Sequence, residues 1–296
     1  APELTQSTRS VSSTFLNFRL KYERQFGNHY INSFIGAEQT KGGNAYYEAF
    51  RRNYLSPTLS ELFAGDPATQ QNDGVSAESS RQSILGRVSY NYQEKYIIDF
   101  NARYDGSYVF PEGKRFGFFP GVSAAWVLSE EFLKDISGVN DLKLRTSIGK
   151  MGNDRISPFQ FMPAYNLGLD GYHFGLPTNS QLGVVPGVTP NPNVTWEVAT
   201  TYNLGLDGMF WNGGLSFTLE VFKQRRENIL TKRNLEVPFY TGLQLPDENI
   251  GIVENKGLEL ALNHRGKATS PSGFSYSVGG NIAFNKNTVI DISEAQ

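Results

Sequence analysis

Residues 96–110, YIIDFNARYDGSYVF, alternate between apolar and polar side chains almost without a break. Tyr96, Ile98, Phe100, Ala102, Tyr104, Tyr108 and Phe110 fall on one face, with Asp99, Asn101, Arg103, Asp105 and Ser107 on the other. Successive strand side chains point to opposite sides, so the pattern predicts a strand with one oily and one wet face. An ordinary globular strand runs about five or six residues, whereas a tilted strand needs roughly 9–11 to cross a bilayer. Length and aromatic ends together predict a stave of an outer-membrane barrel. A soluble β-sandwich would share the alternation but bury the oily face in a compact core.

The same alternation recurs along the chain. Residues 14–26 set Leu16, Phe18, Leu20 and Tyr22 against Asn17, Arg19, Lys21 and Glu23, and Gly27-Asn28 turns into a weaker strand over 29–41. Further strands are predicted over 82–93, 119–128, 141–150, 195–211, 215–231, 252–266 and 273–286. The reading is all-β, with about ten antiparallel strands. Asn212-Gly213-Gly214 is a hairpin signal, since Asn and Gly tolerate positive φ.

Connection lengths alternate as well. Short links fall at 27–28, 93–95, 212–214 and 267–272, and Ser129–Asn140, with room for one helical turn, lies on the same side. The links at 42–80, 111–116, 152–194 and 233–250 occupy the other side and are longer or more elaborate. Short periplasmic turns and long extracellular loops are the habit of outer-membrane barrels. By this parity the first strand starts, and the tenth ends, on the long-loop side. A complete single-chain barrel keeps both ends in the periplasm. All 296 residues are therefore expected to belong to one larger barrel domain, with strands outside this chain covering its two edges.

Composition agrees with that picture and narrows it. Hydrophobic residues make up 39% and mean hydropathy is -0.38, with no apolar run near the 18 residues of a membrane helix. A barrel escapes this test because only every second residue meets lipid. A net charge of -2 gives no pull toward nucleic acid, and the lack of cysteine rules out disulfides and thiolate metal sites. The 21 Phe and 15 Tyr suit aromatic girdles, to which Trp126, Trp196, Trp211, Tyr92 and Tyr96 are assigned.

Several landmarks then follow in order: Arg103-Tyr104-Asp105-Gly106-Ser107, Phe119-Pro120-x-x-Ser123-x-x-Trp126, and Leu142-Lys143-Leu144-Arg145-x-Ser147-x-Gly149-x-x-Gly152-Asn153. Thr195-Trp196-Glu197, Asn203-Leu204-Gly205-Leu206-Asp207 and Asn255-Lys256-Gly257-Leu258-Glu259-Leu260 complete the series. Over residues 85–287 it resembles the barrel region of SusC/RagA-type TonB-dependent transporters of Bacteroidetes outer membranes. The resemblance implies a 22-stranded barrel around an N-terminal plug, set among membrane lipid and lipopolysaccharide. It implies TonB-energised import of an oligosaccharide or peptide beneath a SusD-like surface lipoprotein. The plug, the TonB box and a terminal strand ending in an aromatic have no counterpart here, so coupling and assembly signals are expected elsewhere. A transporter-like barrel serving as an assembly platform is the second reading. No enzymatic activity and no cofactor are expected.

Candidate residues divide by location. Arg103, Asp105, Lys143 and Arg145 are predicted to line the lumen as a polar wall held by cross-strand partners. Glu197, Glu220 and Glu259 also project inward, with nothing to pair them as acid and base. In the long loop, Phe159, Phe161, Tyr165, Tyr172, His173 and Phe174 could stack on ligand or pack against a lid. The alternative is that they fold the loop onto its neighbours. His29, His173 and His264 lack metal-ligand spacing, and Gly149-Lys150-Met151-Gly152 is not a P-loop. Asp66, Asn72 and Asp73 read as turn residues before a cation site.

Overall fold

A computed structural model describes residues 2–56, 58–134, 136–167, 172–174, 179–181, 183–232, 239–267 and 273–292. The strands are β1 (Glu3–Phe26), β2 (His29–Arg52), β3 (Gln71–Tyr92), β4 (Tyr96–Ser107), β5 (Phe116–Val127) and β6 (Val139–Asn153). Short strands follow as β7 (Tyr165–Leu167), β8 (Tyr172–Phe174), β9 (Asn179–Gln181) and β10 (Val184–Pro186). Long strands resume with β11 (Glu197–Phe210), β12 (Leu215–Lys232), β13 (Asp247–Lys267) and β14 (Ser275–Asp291). Ten strands form one sheet in the order β1-β2-β3-β4-β5-β6-β11-β12-β13-β14, while β7 pairs β10 and β8 pairs β9 in two small ribbons. Each of the ten predicted strands is present. The helical turn is present too, as α1 (Ser129–Phe132).

The chain divides into two compact units, Ala1–Phe18 with Ala37–Ser83, and Arg19–Gly36 with Ile84–Gln296. In the first, the strands outrun the sequence reading, for β2 continues to Arg52 and β3 begins at Gln71. The predicted link begins at Gly42-Gly43, but these glycines sit inside β2, where there is little room for a side chain. A Cβ on Gly42 would lie 2.7 Å from Ser79 Oγ, and one on Gly43 3.0 Å from Ser12 Oγ. The link over 53–70 is pinned by Asp66, whose carboxylate accepts from Ala68 N at 2.9 Å and Asn53 Nδ2 at 3.3 Å. Asp73 accepts from Gly74 N at 2.7 Å. These aspartates hold turns and strand ends, as their sequence setting suggested.

In the second unit the alternation becomes two chemically distinct faces. Ile98, Phe100, Tyr104, Phe118, Val122, Ile148, Leu204, Val221, Leu258 and Phe284 all stand exposed on one side, Phe100 at 46% and Phe284 at 62%. Cross-strand register keeps them in rows: Phe100 faces Val122, Val122 faces Ile148, and Leu204 lies between Thr146 and Val221. This is what lipid-facing staves require and what a compact soluble core forbids.

Two assignments need correction. The strand opening at Tyr96 ends at Ser107, and Phe110 is buried at 0% rather than turned outward, beside Val109 at 2%. Trp196 is no girdle residue, being 8% exposed just before β11. Alternation alone cannot tell a lipid-facing ring from one that fills a small cluster where the chain has just left the sheet. Tyr92, Tyr96 and Trp126 do form a girdle at the short-turn end, stacked at 6.4 and 6.2 Å between ring centroids. Tyr96 Oη and Trp126 Nε1 both donate to the Glu131 carboxylate, at 2.6 and 2.7 Å. Led by the Tyr96 hydroxyl, these donors hold that carboxyl below the ordinary carboxylate range.

Candidate functional site

At the long-loop end the loops do not hang free. Val109, Phe110, Phe119, Val194 and Trp196 form a closed apolar cluster, with Tyr108, Ile156, Phe161, Val198 and Leu230 packed around it. Phe110 and Phe119 meet the Trp196 ring at 4.9 and 5.2 Å, and its Nε1 donates to Arg115 O at 3.1 Å. The β4–β5 link, the long loop after β6 and the top of β12 are thereby tied into one head.

Polar clamps complete the head, and they are mostly asparagine. Asn191 is buried; its Nδ2 donates to Asp247 O at 2.7 Å, while its Oδ1 accepts from Asn193 N at 2.8 Å. Asn249 accepts from Thr195 N at 2.9 Å and donates to Thr195 O at 3.0 Å and to Asn228 O at 2.7 Å. Asn228 sits at a register shift in β12 with φ +59°, a conformation asparagine tolerates better than most residues. Ser107 Oγ donates to Asp154 Oδ2 at 2.7 Å, fixing where the long loop leaves β6. Asn249→Ala should cost the head about 1 kcal/mol, because the half-buried Thr195 N–H and C=O lose this side-chain partner. Hydrogen exchange at the Thr195 amide is the readout, and unchanged protection would count against the clamp.

The predicted aromatics separate on this platform. Phe159, held at φ +61°, exposes half its ring and meets Tyr108 edge-on at 6.0 Å and Phe161 at 6.3 Å. Phe161 turns inward onto the cluster, whereas Tyr165 on β7 is 65% exposed. The side chains of Tyr172, His173 and Phe174 lie outside the described residues. Phe159, Met162 and Val188 line a cleft of about 720 Å³ together with Leu243 and Leu245 from the loop before β13 and Asp247 at its first residue. Sequence reading missed that loop, because nothing in Gly242–Pro246 marks it as a partner of Phe159.

On the polar face several charges pair within and across strands. Arg145 bridges two strands, with Nε 3.1 Å from Asp207 Oδ2 and Nη2 2.6 Å from Glu220 Oε2. Lys143 approaches the same Asp207 at 3.8 Å, and Asn203 Nδ2 donates to Glu220. Arg103 and Asp105 pair along their own strand at 3.0 Å, and Arg87 pairs with Asp99 at 2.6 Å. Asp207 was the unrecognised member, although its place opposite Lys143 follows once β6 and β11 are aligned. Glu220 takes Arg145 and Asn203, and Glu259 stands directly across from it on β13. Among the described residues no three His, Asp or Glu converge as metal ligands. His29 instead meets the Tyr90 hydroxyl at 2.7 Å, and His264 stacks on Tyr276.

A family model described as "TonB dependent receptor-like, beta-barrel" matches residues 3–295. The chain belongs to the TonB-dependent receptor-like β-barrel family. TonB-dependent receptor P3 of Formosa agariphila is 30% identical over 295 residues, covering 99% of this chain and 29% of that relative. TonB-dependent receptor SusC of Bacteroides thetaiotaomicron is 29% identical over 285 residues, covering 94% of this chain and 27% of SusC. The chain thus spans less than a third of the length of either relative. Among solved structures, the RagAB peptide importer in its "open-open" state superposes with a TM-score of 0.86 at 20% identity, over 98% of this chain and 31% of that one. The Escherichia coli outer membrane transporter YddB gives 0.59 at 10% identity, over 95% and 34%.

These likenesses fix the fold as a segment of a TonB-dependent receptor barrel of SusC/RagA type, seated in the outer membrane. Barrels of this kind turn their apolar rows to lipid and their polar rows to the interior. Its relatives are named as receptors and transporters, not enzymes.

Proposed function

We propose that this segment forms part of the wall and mouth of an importer that draws a large nutrient, an oligosaccharide or peptide, across the outer membrane with energy delivered through TonB. A SusD-like surface lipoprotein closes over the long-loop end. The rest of the same polypeptide supplies the plug and the strands that pair with β1 and β14, the two edge strands of the sheet. The observation that carries the reading is the cleft at the head. It is lined by Phe159 among Met162, Val188, Leu243 and Leu245, lies at the mouth and is built on loops too firmly packed to be passive linkers. Phe159 in the cleft and the exposed Tyr165 on β7 act as stacking surfaces for cargo or lid, and Arg103, Asp105, Lys143 and Arg145 form the passage wall below. Superposition on the RagAB peptide importer over 98% of the chain supports the peptide reading.

The test uses the full-length protein in a strain lacking it. Wild type should restore uptake of labelled oligosaccharide or peptide mixtures, and dissipating the proton-motive force should abolish that uptake. Phe159→Ala should lower apparent affinity about fivefold or more, the usual cost of losing an exposed aromatic anchor. Uptake indifferent to the proton-motive force would overturn energised import. An unchanged Phe159→Ala would remove the cleft from the mechanism.

A further inference from the structure

The lipid face carries a charge pattern that transport does not use. Lys223 of β12 lies directly opposite Lys256 of β13, and Lys256 directly opposite Lys286 of β14. All three share the face of Val221, Leu258 and Phe284, two residues away on their respective strands. Tyr202 continues the row on β11, and the next row toward the long loops adds Lys150 and Arg225. Like charges directly opposite in a sheet destabilise it. The counter-charge is too small to cancel them. Glu254 serves both Lys223 at 2.8 Å and Lys256 at 3.9 Å, and Glu227 takes Arg225 at 2.7 Å. Lys150 and Lys286 have no ion pair among the described residues.

The height of the row identifies what could neutralise it. Between the short turn and Lys223, β12 offers Leu215, Phe217, Leu219 and Val221 to lipid, and β13 matches them with His264, Leu262, Leu260 and Leu258. Four such rows at about 6.6 Å each, tilted by about 40°, rise roughly 20 Å, close to the height of a barrel's apolar band. The lysines therefore sit at the headgroup level of the outer leaflet. Directly beneath them, and sharing all three as its rim, lies an open groove of about 900 Å³ lined by Val122, Ile148, Leu204, Val221, Leu258 and Phe284. A cationic rim above an apolar trough complements one molecule with an anionic head and acyl tails. Ammonium groups are compact point charges suited to phosphate.

We propose that this face of β11–β14 holds a phosphorylated glycolipid of the outer leaflet, its phosphate on Lys223, Lys256 and Lys286 and an acyl chain in the groove. The site stands apart from the cleft at the mouth and does not depend on which nutrient passes. Full-length protein in phosphatidylcholine nanodiscs doped with phosphorylated lipid A, or with the same lipid after phosphatase treatment, gives the test by native mass spectrometry. Wild type should retain the phosphorylated form at least about tenfold better, and K223Q/K256Q/K286Q should lose that preference. E254Q, which frees two lysines, should strengthen retention, and millimolar inorganic phosphate should not displace the lipid. Equal retention of both lipid forms, or a triple variant as retentive as wild type, would overturn the site. Displacement by inorganic phosphate would overturn the lipid assignment. Should the triple variant fail to fold, K286Q must weaken retention and E254Q strengthen it; any other pair of results sinks the proposal.

Discussion

Replacing Trp196 by alanine should loosen the extracellular head by about 3–5 kcal/mol, the cost of emptying a large aromatic site in a packed cluster. The ring fills the space between Phe110 and Phe119, and its indole nitrogen ties the loop before β11 to Arg115. Hydrogen exchange on the full-length protein in lipid should show residues 108–119, 154–167 and 183–196 losing protection together. Strands β4 to β6 should keep theirs below that level, since their ladder does not depend on the indole. Loss confined to the immediate neighbours of Trp196 would mean that the loops are secured separately.

The second large effect tests the wall itself. Phe100 lies mid-way along β4 on the lipid face, between Ile98 and Ala102. Phe100→Arg should destabilise the folded barrel in vesicles by about 2–4 kcal/mol, the penalty for arginine near the bilayer midplane. Asn101→Arg, one residue on and turned to the lumen, should cost far less. Equal penalties in a lipid-embedded denaturation series would contradict the assignment of faces.

How much could be read in advance depended on where a residue meets lipid. Within the bilayer, alternation has a single physical cause, and the strands around Phe18, Phe100, Leu204 and Phe284 were legible from it. Above the bilayer both faces are wet, so the upper halves of β2 and β3, with Ala45-Tyr46-Tyr47 and Ser76-Ala77-Glu78, carry no such period and read as loop. Tyr108 to Phe110 failed for the opposite reason, since their rhythm continued after the strand had stopped. Within the head, Asn191 and Asn249 were invisible, because an asparagine clamp looks like any other turn residue until its distant carbonyls are placed. The lumen pairs fell between these extremes. Lys143 and Arg145 announced an inward face, but only register shows that Asp207 and Glu220 answer them.

That answering arrangement bears on passage. With guanidinium and carboxylate already spoken for across β6, β11 and β12, this stretch of wall has few dangling valences for a guest to grip. In the importer proposed above, a bulky solute would glide along this stretch without being captured, leaving the choice of what enters to the rim.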